Sequence, residues 1–377
     1  LDTIKSPLFD RYRLVLLSSS TKHVFTEKIR CSFRLPRLSI PRWTRAAEQV
    51  QKAIESIWGI KGLILDFVGE EPGCDGVVIV ALREGVHENR PPTSHSWVDL
   101  CDIPTDELNR SERDAIETLL MDGQTGRGPF SRFGWIEEAY RWIGNELHRN
   151  RAPLTSEILQ LNASPNHALV RFGKRAESLL WVKAVTDPCD REYDITKLLG
   201  SIAPEYLPQI VASREDWKAW CMADAGWPLE QSLDIDLCSQ VVRRLAELQI
   251  VSIHYADALL ASGCRNLRPT LIRGQIPQMM KSAQEAMESQ SSRFAPQLGP
   301  GQLGRLSMRL EEACIELVEL NIPNTLMHGD FSLDNILVGR QACVFTDWAQ
   351  ASIGNRTALA PLKAKQERAE KRMVQDE

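Results

Sequence analysis

The segment Thr325 to Ala351, TLMHGDFSLDNILVGRQACVFTDWAQA, sets two acids and an amide around an expected hairpin. Strand-forming Ile336, Leu337 and Val338 run into the turn Gly339, Arg340, Gln341, and Cys343 to Thr346 run back. With the turn centred near residue 341, Asn335 and Asp347 face each other across an antiparallel pair, Cα atoms roughly 5 Å apart. Two hard oxygen ligands then share one spot. Such a spot suits Mg²⁺, which takes one or two protein oxygens and completes its shell with water and phosphate. Asp330 lies in a loop with His328 and Gly329, placed to take a proton from an attacking hydroxyl beside the metal. A purely structural use of the same residues has Asp330 capping a turn and Asn335 bonding its own backbone.

The order His328, Gly329, Asp330, Asn335, then Asp347-Trp348, resembles the catalytic segment of the aminoglycoside phosphotransferase and choline kinase-like superfamily. These are small-molecule relatives of protein kinases, which have Asp-Phe where this chain has Asp-Trp. The resemblance implies a catalytic base at Asp330 and metal ligands at Asn335 and Asp347.

Such a segment needs a lobe to hold the nucleotide. Upstream, EILQLNA, ALVRFG and LLWVKAV within residues 157–185 read as strands. Lys183 lies in the last of them, where the resemblance implies a lysine that reaches the α- and β-phosphates and is held by a glutamate of the following helix. Glu192, in the expected helix REYDITKLL at 191–199, fits that partner. Read alone, Lys183 is equally an edge-strand residue facing solvent and Glu192 a surface acid. The loop at 162–167 would cover the phosphates without a glycine, a departure from protein kinases that the aminoglycoside phosphotransferase group shares. Its backbone N–H groups, with Ser164 and Asn166, could donate to phosphate.

Two more strands, PQIVASRE and DWKAWCMAD, lead to Ala225-Gly226-Trp227-Pro228, where Gly and Pro mark a hinge. Relatives read Met-x-Asp-Ala-Gly here, matching Met222, Asp224, Ala225 and Gly226. The adenine edge is therefore expected at the backbone of Cys221, Met222 and Ala223. Cys221 and Met222 serve equally well as core residues. Beyond the hinge, Leu237, Val241, Val242, Leu245 and Leu248 mark one amphipathic helix, with His254 near its end as a capping or surface residue. Leu303, Leu306, Leu310, Cys314 and Leu317 mark a second, at 302–320. Both helices are expected to support the hairpin.

The first 150 residues alternate strands (YRLVLLSS, GLILDFV, GVVIVALRE, SWVDLCD) with helices at 45–58, 106–121 and 135–147, which describes an α/β or α+β domain. The segment Lys52 to Ile60, KAIESIWGI, resembles the metal-binding helix of Nudix hydrolases, but Ser56 and Ile57 stand where paired glutamates are needed. Without those carboxylates the helix cannot hold a hydrolytic metal, so the domain reads as a degenerate Nudix-like fold or an unrelated one. Phe130, Phe133, Trp135, Tyr140 and Trp142 could hold a planar ligand or fill a core. NRAPL, from Asn150, is the natural boundary.

At 377 residues with 43% hydrophobic content the chain is expected to be globular with more than one core. A net charge of −5 and a pI near 5.9 leave no basic footprint for nucleic acid. Nine scattered cysteines without a CxxC pair fit a reducing cytoplasm. No apolar run approaches a membrane span or a signal core, and the chain begins with Leu1, as a fragment or processed chain would. Relatives continue through several helices past the Asp-Trp, whereas 30 residues follow Asp347 here. Gly354-Asn355 stands where the family usually shows Gly-Asp.

The expected architecture is thus α/β and α+β: an N-terminal domain (1–150), a kinase-like N-lobe (151–224), a truncated C-lobe (225–361) and a charged tail (362–377). The expected activity is Mg²⁺-dependent transfer of the γ-phosphoryl group of ATP, or GTP, to a small-molecule hydroxyl in the cytoplasm, with no nucleic-acid or membrane partner. The rival from another class is a non-catalytic nucleotide-binding or scaffold protein.

Overall fold

The computed structural model of the protein describes residues 9–18, 21–30, 32–42, 45–68, 76–82, 94–121, 130, 132–150, 157–164, 166–173, 179–231, 234–289, 298–339 and 343–355. The turn residues Arg340 and Gln341, the linker after Asn150 and the tail from Leu362 lie outside them. Two compact units emerge: Leu1–Tyr193 with Ile210–Asp224, and Asp194–Gln209 with Ala225–Glu377.

In the first unit, the apolar run Gly76–Leu82 pairs in parallel with Phe9–Leu17 and antiparallel with Gly62–Val68. A run without polar interruptions suits a strand covered on both faces. Leu14, Leu16, Val78 and Val80 pack with Val50 and Ile54 of helix Ala46–Trp58. The alternate residues Val15, Leu17, Val77 and Ile79 pack with Ile116 of helix Arg110–Leu120 and with Trp135, Ala139 and Ile143 of helix Trp135–Asn150. Strands Val24–Ile29, Ser32–Arg34, Arg37–Pro41 and His95–Val98 complete a seven-stranded sheet. The first three of these were not legible in the sequence, because Glu27, Lys28, Arg34 and Arg37 interrupt their apolar pattern. Ser56 and Ile57 lie exposed on helix Ala46–Trp58 and supply no carboxylate, so the Nudix resemblance gains no support.

The same unit carries an antiparallel five-stranded sheet, ordered Ile210–Arg214, Ala219–Ala223, Leu180–Val185, His167–Phe172, Ile158–Ala163. Successive side chains of a strand point to opposite faces. Val182 and Ala184 therefore join the cluster that holds Trp135 and Ile143, while Val185 lies in a second cluster with Tyr193, Trp220 and Met222. Phe130 and Trp135 are buried in the first cluster and Phe133, Tyr140 and Trp142 pack against it, so this aromatic group fills a core.

In the second unit, helix Ile235–Ser252 buries Val241, Leu245 and Leu248 in a cluster with Leu326, Ile336, Phe345 and Trp348. Helix Pro300–Glu319 does not share that cluster; it packs against helix Pro269–Ser289. Its Leu303 and Cys314 are buried but Leu306 is exposed, which corrects the expected supporting role and stripe. Helix Pro269–Ser289 went unread because Gly274 and Pro277 interrupt it. Among the described residues no helix is long and apolar enough to cross a membrane.

Candidate active site

In the first unit, Lys183 and Glu192 form a buried ion pair, Nζ to Oε1 2.6 Å, with side chains 7% and 2% exposed. The strand Leu180–Val185 delivers the lysine, and helix Arg191–Ile202 delivers the glutamate from its first turn. Lys183 Nζ also sits 5.9 Å from the Trp220 ring. Such a pair is costly to desolvate, and removing either partner would leave the other charge buried and uncompensated.

Strand Ile158–Ala163 runs through Asn162 and Ala163, and His167 opens the next strand, so the expected loop 162–167 narrows to residues 164–166, where the Ser164 N–H donates to the His167 carbonyl at 3.0 Å. The Ser164 hydroxyl donates to the His167 carbonyl at 3.1 Å and accepts from the Asn166 and His167 N–H groups at 3.3 and 3.0 Å. That hydroxyl closes its own turn, whereas Asn166 is exposed. Met222 and Ala223 end strand Ala219–Ala223, where the Asp224 N–H donates to the Leu179 carbonyl at 3.1 Å. Beside them burial pushes the Cys221 thiol up to about 12.

In the second unit, strand Thr325–Met327 leads into His328-Gly329-Asp330. His328 is 3% exposed; its Nε2–H donates to the Thr346 carbonyl at 2.7 Å, and its ring lies 4.4 Å from that of Trp348. The histidine thus ties the acid-bearing loop to the chain just before Asp347, a structural part that the sequence pattern did not disclose. Gly329 has φ +82, and a Cβ there would meet the Gln350 carbonyl oxygen at 2.1 Å. Only glycine fits so close a backbone approach.

The Asn335 amide Nδ2–H donates to the Asp330 backbone carbonyl at 3.0 Å and lies 3.4 Å from its Oδ2. Asp330 is exposed and Asn335 is 8% exposed. The hairpin register is Ile336 to Phe345, Leu337 to Val344 and Val338 to Cys343. Extended by one step, Asn335 stands opposite Thr346, whose N–H donates to the Asn335 carbonyl at 2.9 Å. Asn335 and Asp347 therefore do not face each other as expected: the ladder lies one residue out of that register. The reason is local. Asn335 closes the 3-10 turn Leu333–Asn335, and Asp347, at φ 67 and ψ 65, has left the strand in a left-handed conformation. A non-glycine residue held there costs of order 1–3 kcal/mol, a strain that clusters at functional sites.

Asn335 spends its amide N–H on Asp330, and its Oδ1 accepts no hydrogen bond from the described residues. That oxygen and the Asp347 carboxylate are hard donors of the kind Mg²⁺ takes, and among the described residues no group of three or more His, Cys, Asp or Glu could hold a metal by itself. The hairpin is anchored by Arg244, whose Nε donates to the Cys343 carbonyl at 3.0 Å, and by Gly226, where a Cβ would meet the Val338 carbonyl oxygen at 2.0 Å. Strand Ser352–Gly354 lies between Thr325–Met327 and Arg265–Leu267 and holds the far side of the loop.

The first unit thus holds a five-stranded sheet with a strand-borne lysine paired to a helix-borne glutamate, and the second an HGD loop tied to a short hairpin. The model of the phosphotransferase enzyme family matches residues 224–358. None of the curated proteins compared matches the chain. Among solved structures, the GDP and kanamycin complex of APH(2")-IIia is 16% identical, covering 57% of this chain and 74% of its own, with a TM-score of 0.38. Macrolide 2'-phosphotransferase MphH from Brachybacterium faecium is 17% identical, covering 58% and 74%, with a TM-score of 0.38. Plasmodium vivax ethanolamine kinase is 16% identical, covering 66% and 70%, also with a TM-score of 0.38.

Proposed function

We propose that the protein transfers the γ-phosphoryl group of ATP, or GTP, to a hydroxyl of a small molecule. The observation that carries this reading is the contact of Asn335 with Asp330 within a loop that His328 ties to the base of Asp347. Asp330 would orient the acceptor hydroxyl and take its proton as the oxygen bonds to the γ-phosphorus and the bond to the β-phosphate oxygen breaks. Asn335 and Asp347 would hold Mg²⁺, which when bound neutralises charge on the phosphates. Lys183, fixed by Glu192, would position the α- and β-phosphates, with the exposed Asn166 side chain and the Met222–Ala223 backbone as further nucleotide contacts.

The test is an ATP-consumption screen over aminoglycosides, amino alcohols, sugars and amino acids, run beside a Mg·ATP binding measurement. Consumption that depends on one acceptor supports the transferase. Binding without consumption for any acceptor supports the second reading, a nucleotide-binding protein that does not turn over.

A further inference from the structure

Strand Ile158–Ala163, which runs into the turn at 164–166, is an edge of the five-stranded sheet, and Gly62–Val68 is an edge of the seven-stranded sheet. Edges present unpaired N–H and C=O groups. Here two glutamine side chains bridge them. Gln160 Oε1 accepts from the Ile64 N–H at 2.6 Å and Gln160 Nε2 donates to the Ile64 carbonyl at 2.9 Å, so its amide serves Ile64 as a strand partner would. From helix Ala46–Trp58, Gln51 Oε1 accepts from the Gln160 backbone N–H at 2.9 Å, and Gln51 Nε2 donates to the carbonyls of Gly62 at 3.2 Å and Ile158 at 3.3 Å. Both amides are buried, Gln160 fully and Gln51 to 8% exposure. Each strand is irregular where they enter, between Ile64 and Asp66 and between Gln160 and Asn162.

Apolar side chains would hold two elements together without fixing their register. A satisfied buried polar network admits one arrangement, because any slip leaves several groups unpaired. We infer that Gln51 and Gln160 are positioning residues, through which the N-terminal sheet fixes the strand that carries the nucleotide loop. The turn that follows closes on itself through the Ser164 N–H to the His167 carbonyl and the Asn166 and His167 N–H groups to the Ser164 hydroxyl, so the strand that the clasp holds decides where that turn stands. This gives helix Ala46–Trp58 and strand Gly62–Val68 a function in the proposed reaction. The role rests on the nucleotide reading of the loop; the clasp itself does not.

The experiment compares the full chain with Gln160→Leu, Gln51→Leu and the double variant by hydrogen exchange and Mg·ATP binding. Each single variant is expected to speed exchange of amides at 161–167 by about tenfold or more and to weaken Mg·ATP by a similar factor, since unpaired buried amides cost roughly that much. Exchange at 180–185 and 219–223 should stay at the parent rate, and the double variant should be little worse than the worse single one. Unchanged exchange at 161–167, or equal acceleration everywhere, would overturn the inference. Changed exchange at 161–167 with unchanged Mg·ATP affinity would also overturn the positioning role. If the variants do not fold, the parent decides: the Ile64 and Gln160 amides should exchange as slowly as those of 180–185, and fast exchange refutes the clasp. A parent that binds no Mg·ATP defeats the nucleotide reading, and with it the positioning role, while the exchange data still decide the clasp.

Discussion

Gly329→Ala probes the loop that carries Asp330, and its cost can be worked from the backbone. At φ +82 an L-residue costs about 1–2 kcal/mol. The added Cβ would also lie 2.1 Å from the Gln350 oxygen, 2.8 Å from its carbonyl carbon and 2.9 Å from its Cβ. The first two are backbone atoms, so the obstacle cannot rotate away, and overpacking of this kind costs about 1–3 kcal/mol. Against this, alanine lowers the entropy of the unfolded chain by about 0.4–1 kcal/mol. The net expectation is a destabilisation of about 1–5 kcal/mol. Gly274→Ala is the control: it sits exposed inside helix Pro269–Ser289 with nothing within 4 Å of the new Cβ. It should stabilise by roughly 0.5–1 kcal/mol. Urea unfolding of the three proteins makes the comparison. A Gly329→Ala midpoint equal to the parent's would refute the close approach, and a destabilised Gly274→Ala would refute the helix.

His328→Leu should cost about 1–3 kcal/mol in urea unfolding by leaving the Thr346 carbonyl without its donor, and should weaken Mg·ATP binding because Asp347 follows that carbonyl. Cys221 should resist thiol reagents at pH 8 in the folded protein while exposed Cys101 reacts, as timed labelling with mass spectrometry would show. Because burial raises the Cys221 thiol from 9.0 to about 12, its contribution to stability is whole below about pH 9 and is lost as pH rises towards 12, visible as a falling urea midpoint. Burial raises Glu138, but hydrogen bonds and charge from Arg214 and Arg132 outweigh it and the carboxyl is lowered overall, so that its stabilisation fades as pH falls below its ordinary value of 4.5. Arg214→Lys should not restore what Arg214→Ala loses on thermal melting, since the guanidinium stacks 3.6 Å from the Trp217 ring centre while bridging Glu138 and Asp216.

The strands and helix around Lys183 and Glu192 were legible because each is short, apolar on one face and bounded by turn residues, and the two partners are nine residues apart. The cluster of Asp330 and Asn335 was legible for the same reason of nearness in sequence. The register of the hairpin was not. Placing Asp347 opposite Asn335 required the strand to continue through Thr346 and Asp347, and no residue type announces that Asp347 turns left-handed. The close approaches at Gly226 and Gly329 were hidden because the colliding carbonyls, of Val338 and Gln350, lie far along the chain. Gln51 and Gln160 were invisible for a stronger form of that reason, being 109 residues apart with no local signal in either. Helix Pro269–Ser289 shows tertiary packing overriding its internal Gly and Pro.

In the proposed reaction Asn335 and Asp347 hold a magnesium nucleotide while Asp330 acts on the acceptor. A ligand that binds only the folded protein stabilises it by mass action, by about 2.7 kcal/mol at a hundred times its dissociation constant. The most direct measurement is therefore the thermal midpoint of the parent, Asp347→Ala and Asp330→Asn with and without saturating Mg·ATP. A clear upward shift is expected in the parent, most of it lost in Asp347→Ala and nearly all of it kept in Asp330→Asn. An equal shift in the parent and Asp347→Ala, or no shift in the parent, would contradict this reading.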